Sequence, residues 1–135
     1  MEELKFEDEL KGKTLIKIKG GKGSKELNFY TKEGAIYQLY HSQDCCESVE
    51  IVDICGDLED LIGNPLLQAE EIISQENPPG YKSEDYQESF TWTFYKLATI
   101  KGSVTIRWYG ESNGYYSESV DFRKLANPNY LEKGE

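Results

Sequence analysis

Apolar and polar residues alternate along several short stretches of the chain, a pattern typical of strands that bury one face. Short turns that contain glycine separate the first three stretches, and connections of this length join antiparallel strands. A fourth stretch precedes a short helix, for which Asp57 supplies the N-cap and Gly63 the end. The four predicted strands cover residues 14–19, 26–31, 35–41 and 47–54.

Residues 65–74 fit either two helical turns or a strand. We favour a strand, because the neighbouring Ile72 and Ile73 are β-branched and suit a pleated backbone. The next segment, residues 75–87, is polar and contains two prolines, which predicts a mobile loop.

Alternation is strongest in the last third of the chain. Residues 90–95, 104–109 and 116–122 predict a three-stranded antiparallel unit, and we expect its even-numbered apolar residues to face the core. The opposite face would then carry Thr91, Thr93, Tyr95, Thr105, Arg107, Tyr109, Ser117, Ser119 and Asp121. Such a hydroxyl-rich face is either ordinary solvated sheet or a surface that binds a ligand or a second subunit.

Together these elements predict an α+β fold, predominantly antiparallel β-sheet, in a single compact domain with one short helix. We place the domain at residues 10–123, after an acidic lead-in of residues 1–9 and before a polar tail of residues 124–135. A chain of 135 residues can build one core that buries about two-thirds of the unfolded surface.

The net charge of −10 argues against binding duplex nucleic acid or an anionic membrane through a general basic surface. Eleven carboxylates and no lysine or arginine fall within residues 33–81, whereas the first strands contain several lysines. This asymmetry either keeps the protein in solution or gives it one acidic and one basic face. Two such faces would favour a homo-oligomer or a basic partner protein.

Three cysteines and no apolar signal segment indicate reduced thiols in a cytoplasm. The densest group of reactive side chains comprises His41, Gln43, Asp44, Cys45, Cys46 and Cys55. Its spacing matches no established zinc pattern, and neighbouring carboxylates oppose a reactive thiolate. We therefore expect no catalytic residue, no metal and no cofactor, with a metal- or thiol-dependent hydrolase as the remote alternative.

The turn at residues 110–116 is the best candidate ligand site. Its Asn113-Gly114 pair suits a tight turn, and two tyrosines follow directly. We assign base stacking to Trp108 and to Tyr115 or Tyr116, and phosphate binding to Arg107. Asn113, Gln43 and His41 would supply polar contacts to the same ligand.

Two long blocks, HSQDCCESVEIVDICGDLEDLIG and SFTWTFYKLATIKGSVTIRWYGESNGYYSESVDF, resemble a family of small proteins from tailed phages and prophages. That family is known only as a domain of unknown function. The resemblance implies a phage accessory protein in the cytoplasm of an infected bacterium, and it supplies no catalytic residues.

Small phage accessory proteins often counteract bacterial defence systems. Extending that role to this chain is an analogy with its class of protein. The expected function is non-enzymatic: binding and sequestering a nucleotide-derived immune signal, such as a cyclic oligonucleotide or a relative of cyclic ADP-ribose. The alternative is an inhibitor whose acidic stretch, residues 33–76, imitates DNA or binds a basic host protein.

Overall fold

In the part of the chain that the structure describes, eight strands form two four-stranded antiparallel sheets that share one hydrophobic core. The computed structural model describes residues 5–76, 89–114 and 116–125. Its elements are helix α1 (Phe6–Leu10) and strands β1 (Leu15–Lys19), β2 (Glu26–Thr31), β3 (Ile36–Tyr40), β4 (Ser48–Cys55), β5 (Gln68–Ser74), β6 (Ser89–Thr99), β7 (Gly102–Ser112) and β8 (Asp121–Leu125). The first sheet has the order β1-β2-β3-β8 and the second the order β4-β7-β6-β5. The predicted fold class is therefore confirmed.

The first three strands form the antiparallel meander that the sequence predicts. Alternate residues such as Leu27, Phe29 and Leu39 enter the core, as their period-two spacing requires. The fourth strand of this sheet, β8, comes from the far end of the chain and pairs with β3.

Strand β5 confirms the preference for a strand over two helical turns. The predicted short helix is a 3-10 helix, Leu58–Leu61, and Asp57 Oδ1 accepts a hydrogen bond from the backbone N–H of Glu59 as an N-cap. A β-bulge between Ile51 and Asp53 places both Ile51 and Ile54 against the core.

The predicted orientation of the aromatic hairpin is right for β7 and wrong for β6. Val104, Ile106 and Trp108 of β7 enter the core. In β6, however, Tyr95 and Leu97 enter the core, whereas Trp92 and Phe94 lie on the outer face. Antiparallel pairing places Tyr95 opposite Ile106, so the two residues must share a face.

Helix α1 lies almost entirely within the segment that the sequence analysis treats as an acidic lead-in, residues 1–9. Phe6 and Leu10 are buried, and the Phe6 ring contacts rings from both sheets. Its centroid lies 6.3 Å from Phe29, 5.5 Å from Phe122 and 4.7 Å from Tyr95. The helix thus covers part of one side of the sandwich.

Two connections cross between the sheets at one end of the molecule. Residues 41–47 run from β3 to β4, and the chain returns from β7 to β8 through residues 113–120. The predicted third strand of the hairpin unit, residues 116–122, is therefore wrong: most of it is crossover, and β8 joins the other sheet. Gly110 permits this path, since a Cβ there would lie 2.6 Å from the Glu118 carbonyl oxygen.

Residues 77–87 of the predicted loop and 126–135 of the predicted tail lie outside the described residues. Within the described ranges, no helix has the length and apolar character needed to cross a membrane.

Candidate functional site

The two crossovers are joined by a cluster centred on the buried carboxylate of Glu47, which we call the crossover cluster: His41, Gln43, Glu47 and Ser119. The Glu47 carboxylate accepts hydrogen bonds from the backbone N–H groups of Asp44 at 2.8 Å and Cys45 at 2.9 Å. Burial raises the pKa of Glu47, but these donors and the His41 ring outweigh it and lower the pKa to about 2. The carboxylate is therefore ionised at neutral pH.

His41 links this carboxylate to the second crossover. Its Nε2 lies 2.7 Å from Glu47 Oε2, and its Nδ1 lies 2.7 Å from the carbonyl oxygen of Ser119. A carbonyl and an ionised carboxylate can only accept, so this geometry fits a ring that donates from both nitrogens. Neither nitrogen is then free to accept a proton from a thiol or to bind zinc.

We expect the crossover cluster to make folding stability depend on pH. Because the Glu47 pKa is about 2 in the folded state and about 4.5 ordinarily, its ionised form stabilises the fold fully above pH 4.5. This contribution is lost as the pH falls from 4.5 towards 2. The free energy of unfolding of Glu47→Gln should therefore fall less than that of the wild type between pH 5 and pH 2.5.

Urea titrations at several pH values measure this difference. Glu26→Gln, at an exposed position of β2, serves as the control and should follow the wild-type pH dependence. A Glu47→Gln curve parallel to that of the wild type would contradict the role assigned to this carboxylate.

The cysteines differ from the expectation of three reduced thiols. Cys45 and Cys46 are joined in a disulfide between adjacent residues, and Cys55 is an exposed free thiol. Cys45 and Cys46 also lie in the first crossover rather than in a strand. Among the residues that the structure describes, no group of three or more histidine, cysteine, aspartate or glutamate side chains is arranged to hold a metal ion.

Arg107 and Trp108 were assigned to one ligand site, but they lie on opposite faces of β7. Arg107 is on the outer face, where its Nε lies 3.5 Å from Asp53 Oδ2 and its Nη2 lies 3.4 Å from Cys55 Sγ. Trp108 is 0% exposed and belongs to the core. A fully buried ring cannot stack on a ligand, so the stacking role of Trp108 is wrong.

The remaining predicted residues fall into two places. His41 and Gln43 meet around Glu47, since Gln43 Nε2 donates to the Glu47 carbonyl oxygen at 2.7 Å. Asn113 is exposed and Tyr116 partly buried in the turn that follows β7. Tyr115 lies outside the described residues. His41 contacts Glu47 and Ser119, whereas Arg107 contacts Asp53 and Cys55. The structure therefore does not bring His41 and Arg107 together through a shared contact.

Three carboxylates of the acidic stretch, residues 33–76, lie in different environments. Glu47 is buried in the crossover cluster, Glu33 pairs with Lys13 at 2.6 Å, and Glu71 accepts a hydrogen bond from the Tyr95 hydroxyl. The Lys13 ammonium neutralises the charge of Glu33, and hydrogen bonds occupy the carboxylates of Glu47 and Glu71.

A different polar surface emerges on the outer face of the first sheet. One residue from each strand lines up across it: Lys19 is opposite Asn28, Asn28 opposite Gln38, and Gln38 opposite Arg123. We call this set the Lys19–Arg123 row. At the usual spacing of neighbouring strands it extends about 14 Å, with a cation at each end and two amides between them.

Aromatic rings flank the row on both sides. Lys17 Nζ lies 5.4 Å from the centroid of the Tyr30 ring, and Arg123 Cζ lies 4.1 Å from that of Tyr40. Both contacts are cation–π interactions. The surface thus alternates planar rings with positive charge.

The amides of the row are constrained but incompletely satisfied. Arg123 Nε donates to Gln38 Oε1 at 2.7 Å, which leaves the two Nη nitrogens of Arg123 for other contacts. Asn28 Oδ1 is buried and has no hydrogen-bond partner. Because this oxygen is buried beneath the surface, a ligand on the outer face can donate to it only if the Asn28 side chain rotates.

The row was not predicted from the sequence, although the alternation of residues along β1, β2 and β3 indicates three of its four members. The outer-face residues of β1, β2 and β3 recur at every second position, as the strand period requires. Arg123 is the exception, because its place depends on the pairing of β3 with β8, 85 residues apart. No local pattern reports that pairing.

The fold and these surfaces define a protein of two packed antiparallel sheets with a buried polar link between its crossovers. Residues 8–122 match the family described as Domain of unknown function (DUF7448), and the chain belongs to that family. Searches of curated proteins and of solved structures found no match.

Proposed function

We propose that this protein is a non-enzymatic binding protein that sequesters a nucleotide-derived ligand on the outer face of its first sheet. The observation that supports this most directly is the Lys19–Arg123 row, which places two cations, two amides and two flanking tyrosines on one surface. Sheet faces with exposed rings and cations bind nucleotides in several unrelated folds.

Each part of the surface has a matching part in a nucleotide. The Arg123 guanidinium and the Lys19 ammonium suit phosphate oxygens. Gln38 is buried and its Oε1 accepts from Arg123, so it contributes by holding the guanidinium in place at the end of the row. Tyr30 and Tyr40 offer rings on which a base can stack, worth about 1–3 kcal/mol per base.

Local charge also favours this surface over the turn assigned from the sequence. Lys17, Lys19 and Arg123 stand on the outer face of the first sheet, where they outnumber the two carboxylates of the same strand faces, Glu26 and Asp121. This local excess of positive charge opposes the repulsion expected from a net charge of −10. Arg107, in contrast, already faces the carboxylate of Asp53. An anionic ligand at Arg107 would have to displace that partner.

The biological part of the proposal rests on the resemblance to small proteins of tailed phages. In that setting the protein acts in the cytoplasm of an infected bacterium, and the ligand is an immune signal such as a cyclic oligonucleotide or a cyclic ADP-ribose relative. Sequestration needs no catalytic residue, and a homo-oligomer would raise the number of signals held per particle.

Isothermal titration calorimetry with a panel of nucleotides tests the proposal. The panel comprises cyclic di-AMP, cyclic di-GMP, ADP-ribose and cyclic ADP-ribose, with adenosine as the uncharged control. We expect at least one anionic member to bind more tightly than adenosine, and its affinity to fall as salt increases, because phosphate contacts are screened. The absence of heat with every member would contradict the proposal.

A further inference from the structure

A cavity of about 570 Å³ opens on the side of the sandwich where α1 meets both sheets. Its walls come from α1, from β5, and from the chain around the end of β3 and the start of β8. Small-molecule pockets commonly have volumes of about 300–1,000 Å³. We call this cavity the side cleft.

Aromatic and aliphatic groups form much of the side cleft. Phe6 and Phe122 line it and contact each other with ring centroids 5.5 Å apart. Tyr40, Val120 and Ile73 also line the cleft, and Ile73 is 61% exposed. A large aliphatic side chain left exposed beside a cavity offers apolar area that a ligand can bury.

The charged groups of the cleft are predominantly negative. Glu7, Glu71 and Asp121 contribute three carboxylates, whereas Lys5 contributes the single ammonium group among the lining residues described. Two of the carboxylates are held in place. The Tyr95 hydroxyl donates to Glu71 Oε2 at 2.6 Å, and the backbone N–H of Ser42 donates to Asp121 Oδ2 at 3.0 Å.

The negative charges converge on one region. Burial is the main cause that raises the pKa of Tyr95 well above its usual range, and the charges of Glu71 and Asp121 raise it further. The two carboxylates therefore act on the same hydroxyl from different sheets. A positive group placed near them would interact favourably with both.

We propose that the side cleft binds a small organic cation, an amine or quaternary ammonium compound with an apolar or aromatic body. The carboxylates attract the charge, and the faces of the aromatic rings add cation–π attraction. The same carboxylates repel anions, so the cleft and the Lys19–Arg123 row select ligands of opposite charge. The two sites share Tyr40, which lines the cleft and lies against Arg123, but the three carboxylates that attract the cation do not belong to the row, so the inference does not require nucleotide binding.

Three ligands that share an indole ring and differ in charge test the proposal: tryptamine, indole-3-ethanol and indole-3-propionate. Titrations of the full chain, followed by amide chemical shifts in NMR spectra, give the affinities and locate the binding. We expect tryptamine to bind at least about fivefold more tightly than the neutral alcohol, the anion to bind most weakly, and the shifts to include Phe6 and Phe122.

A matched pair of variants on β5 assigns the effect to the cleft. Glu71→Gln removes one lining carboxylate and should weaken tryptamine binding about threefold or more, since the amide oxygen can still accept from Tyr95. Glu70→Gln removes the same charge from the opposite face of the strand and should leave the affinity unchanged.

Three results would overturn the proposal. One is no tryptamine-induced shift at millimolar concentration, and another is equal binding of the three indoles. The third is equal tryptamine affinity in Glu71→Gln and Glu70→Gln.

Discussion

Replacing Trp108 by alanine should lower the free energy of unfolding by about 3–5 kcal/mol, the usual cost of removing a large buried aromatic side chain. Trp108 is 0% exposed and lies in the core between Ile51 of β4 and Thr93 of β6. The cavity left by its indole ring cannot collapse easily, because the two neighbouring strands are held in register by backbone hydrogen bonds.

The neighbouring residue provides the control. Arg107 lies on the outer face with a half-exposed ion partner at 3.5 Å, and such pairs contribute about 0–1 kcal/mol. Arg107→Ala should therefore change the free energy of unfolding by less than about 1 kcal/mol in urea titrations. Similar small effects for both variants would contradict the buried placement of Trp108.

Replacing Arg123 by glutamine should weaken the binding of an anionic nucleotide about 10- to 100-fold. The estimate assumes the loss of one charge-assisted hydrogen bond, worth about 1.5–3 kcal/mol. Glutamine keeps polarity at the position but removes the positive charge at that end of the Lys19–Arg123 row.

Lys124→Gln is the matched control, because it removes the same charge one residue further along β8. Lys124 points to the other face of the strand, where its Nζ lies 5.7 Å from the Tyr37 ring. Calorimetry should show its nucleotide affinity within about twofold of the wild type, since a screened charge on the far face contributes little. An equal loss of affinity in both variants would show that net charge alone causes the effect. That result would contradict a specific role for Arg123.

Much of the fold follows from local patterns in the sequence. Alternation identified the meander of the first three strands, and the capping side chain of Asp57 located the 3-10 helix. These features depend on residues only a few positions apart. Local backbone preferences and side-chain alternation therefore determine them.

The face of β6 could not be predicted in the same way. Phe90, Trp92 and Phe94 are more apolar than Thr91, Thr93 and Tyr95, so alternation favours burial of the even-numbered set. The structure places Tyr95 on the core face, with its hydroxyl paired to Glu71, and buries Trp92 on the outer face. Period-two alternation gives two faces but does not decide which is inside when both contain large rings.

The candidate sites depend on contacts between distant parts of the chain. The turn at residues 110–116 was predicted as the ligand site because its polar and aromatic residues are adjacent in sequence. The Lys19–Arg123 row and the side cleft are assembled by β8 pairing with β3, and by Phe6 packing against both sheets. Nothing within a short window of sequence indicates either contact.

Mapping a bound nucleotide by NMR tests the central claim most directly. The ligand would be the member of the nucleotide panel with the highest affinity, added to isotopically labelled wild-type protein. We predict that the largest shifts fall on the Lys19–Arg123 row, in particular on the side-chain amides of Asn28 and Gln38. Shifts concentrated instead on Arg107, Asn113 and Tyr116, with Asn28 and Gln38 unchanged, would contradict the assignment of the ligand to the outer face of the first sheet.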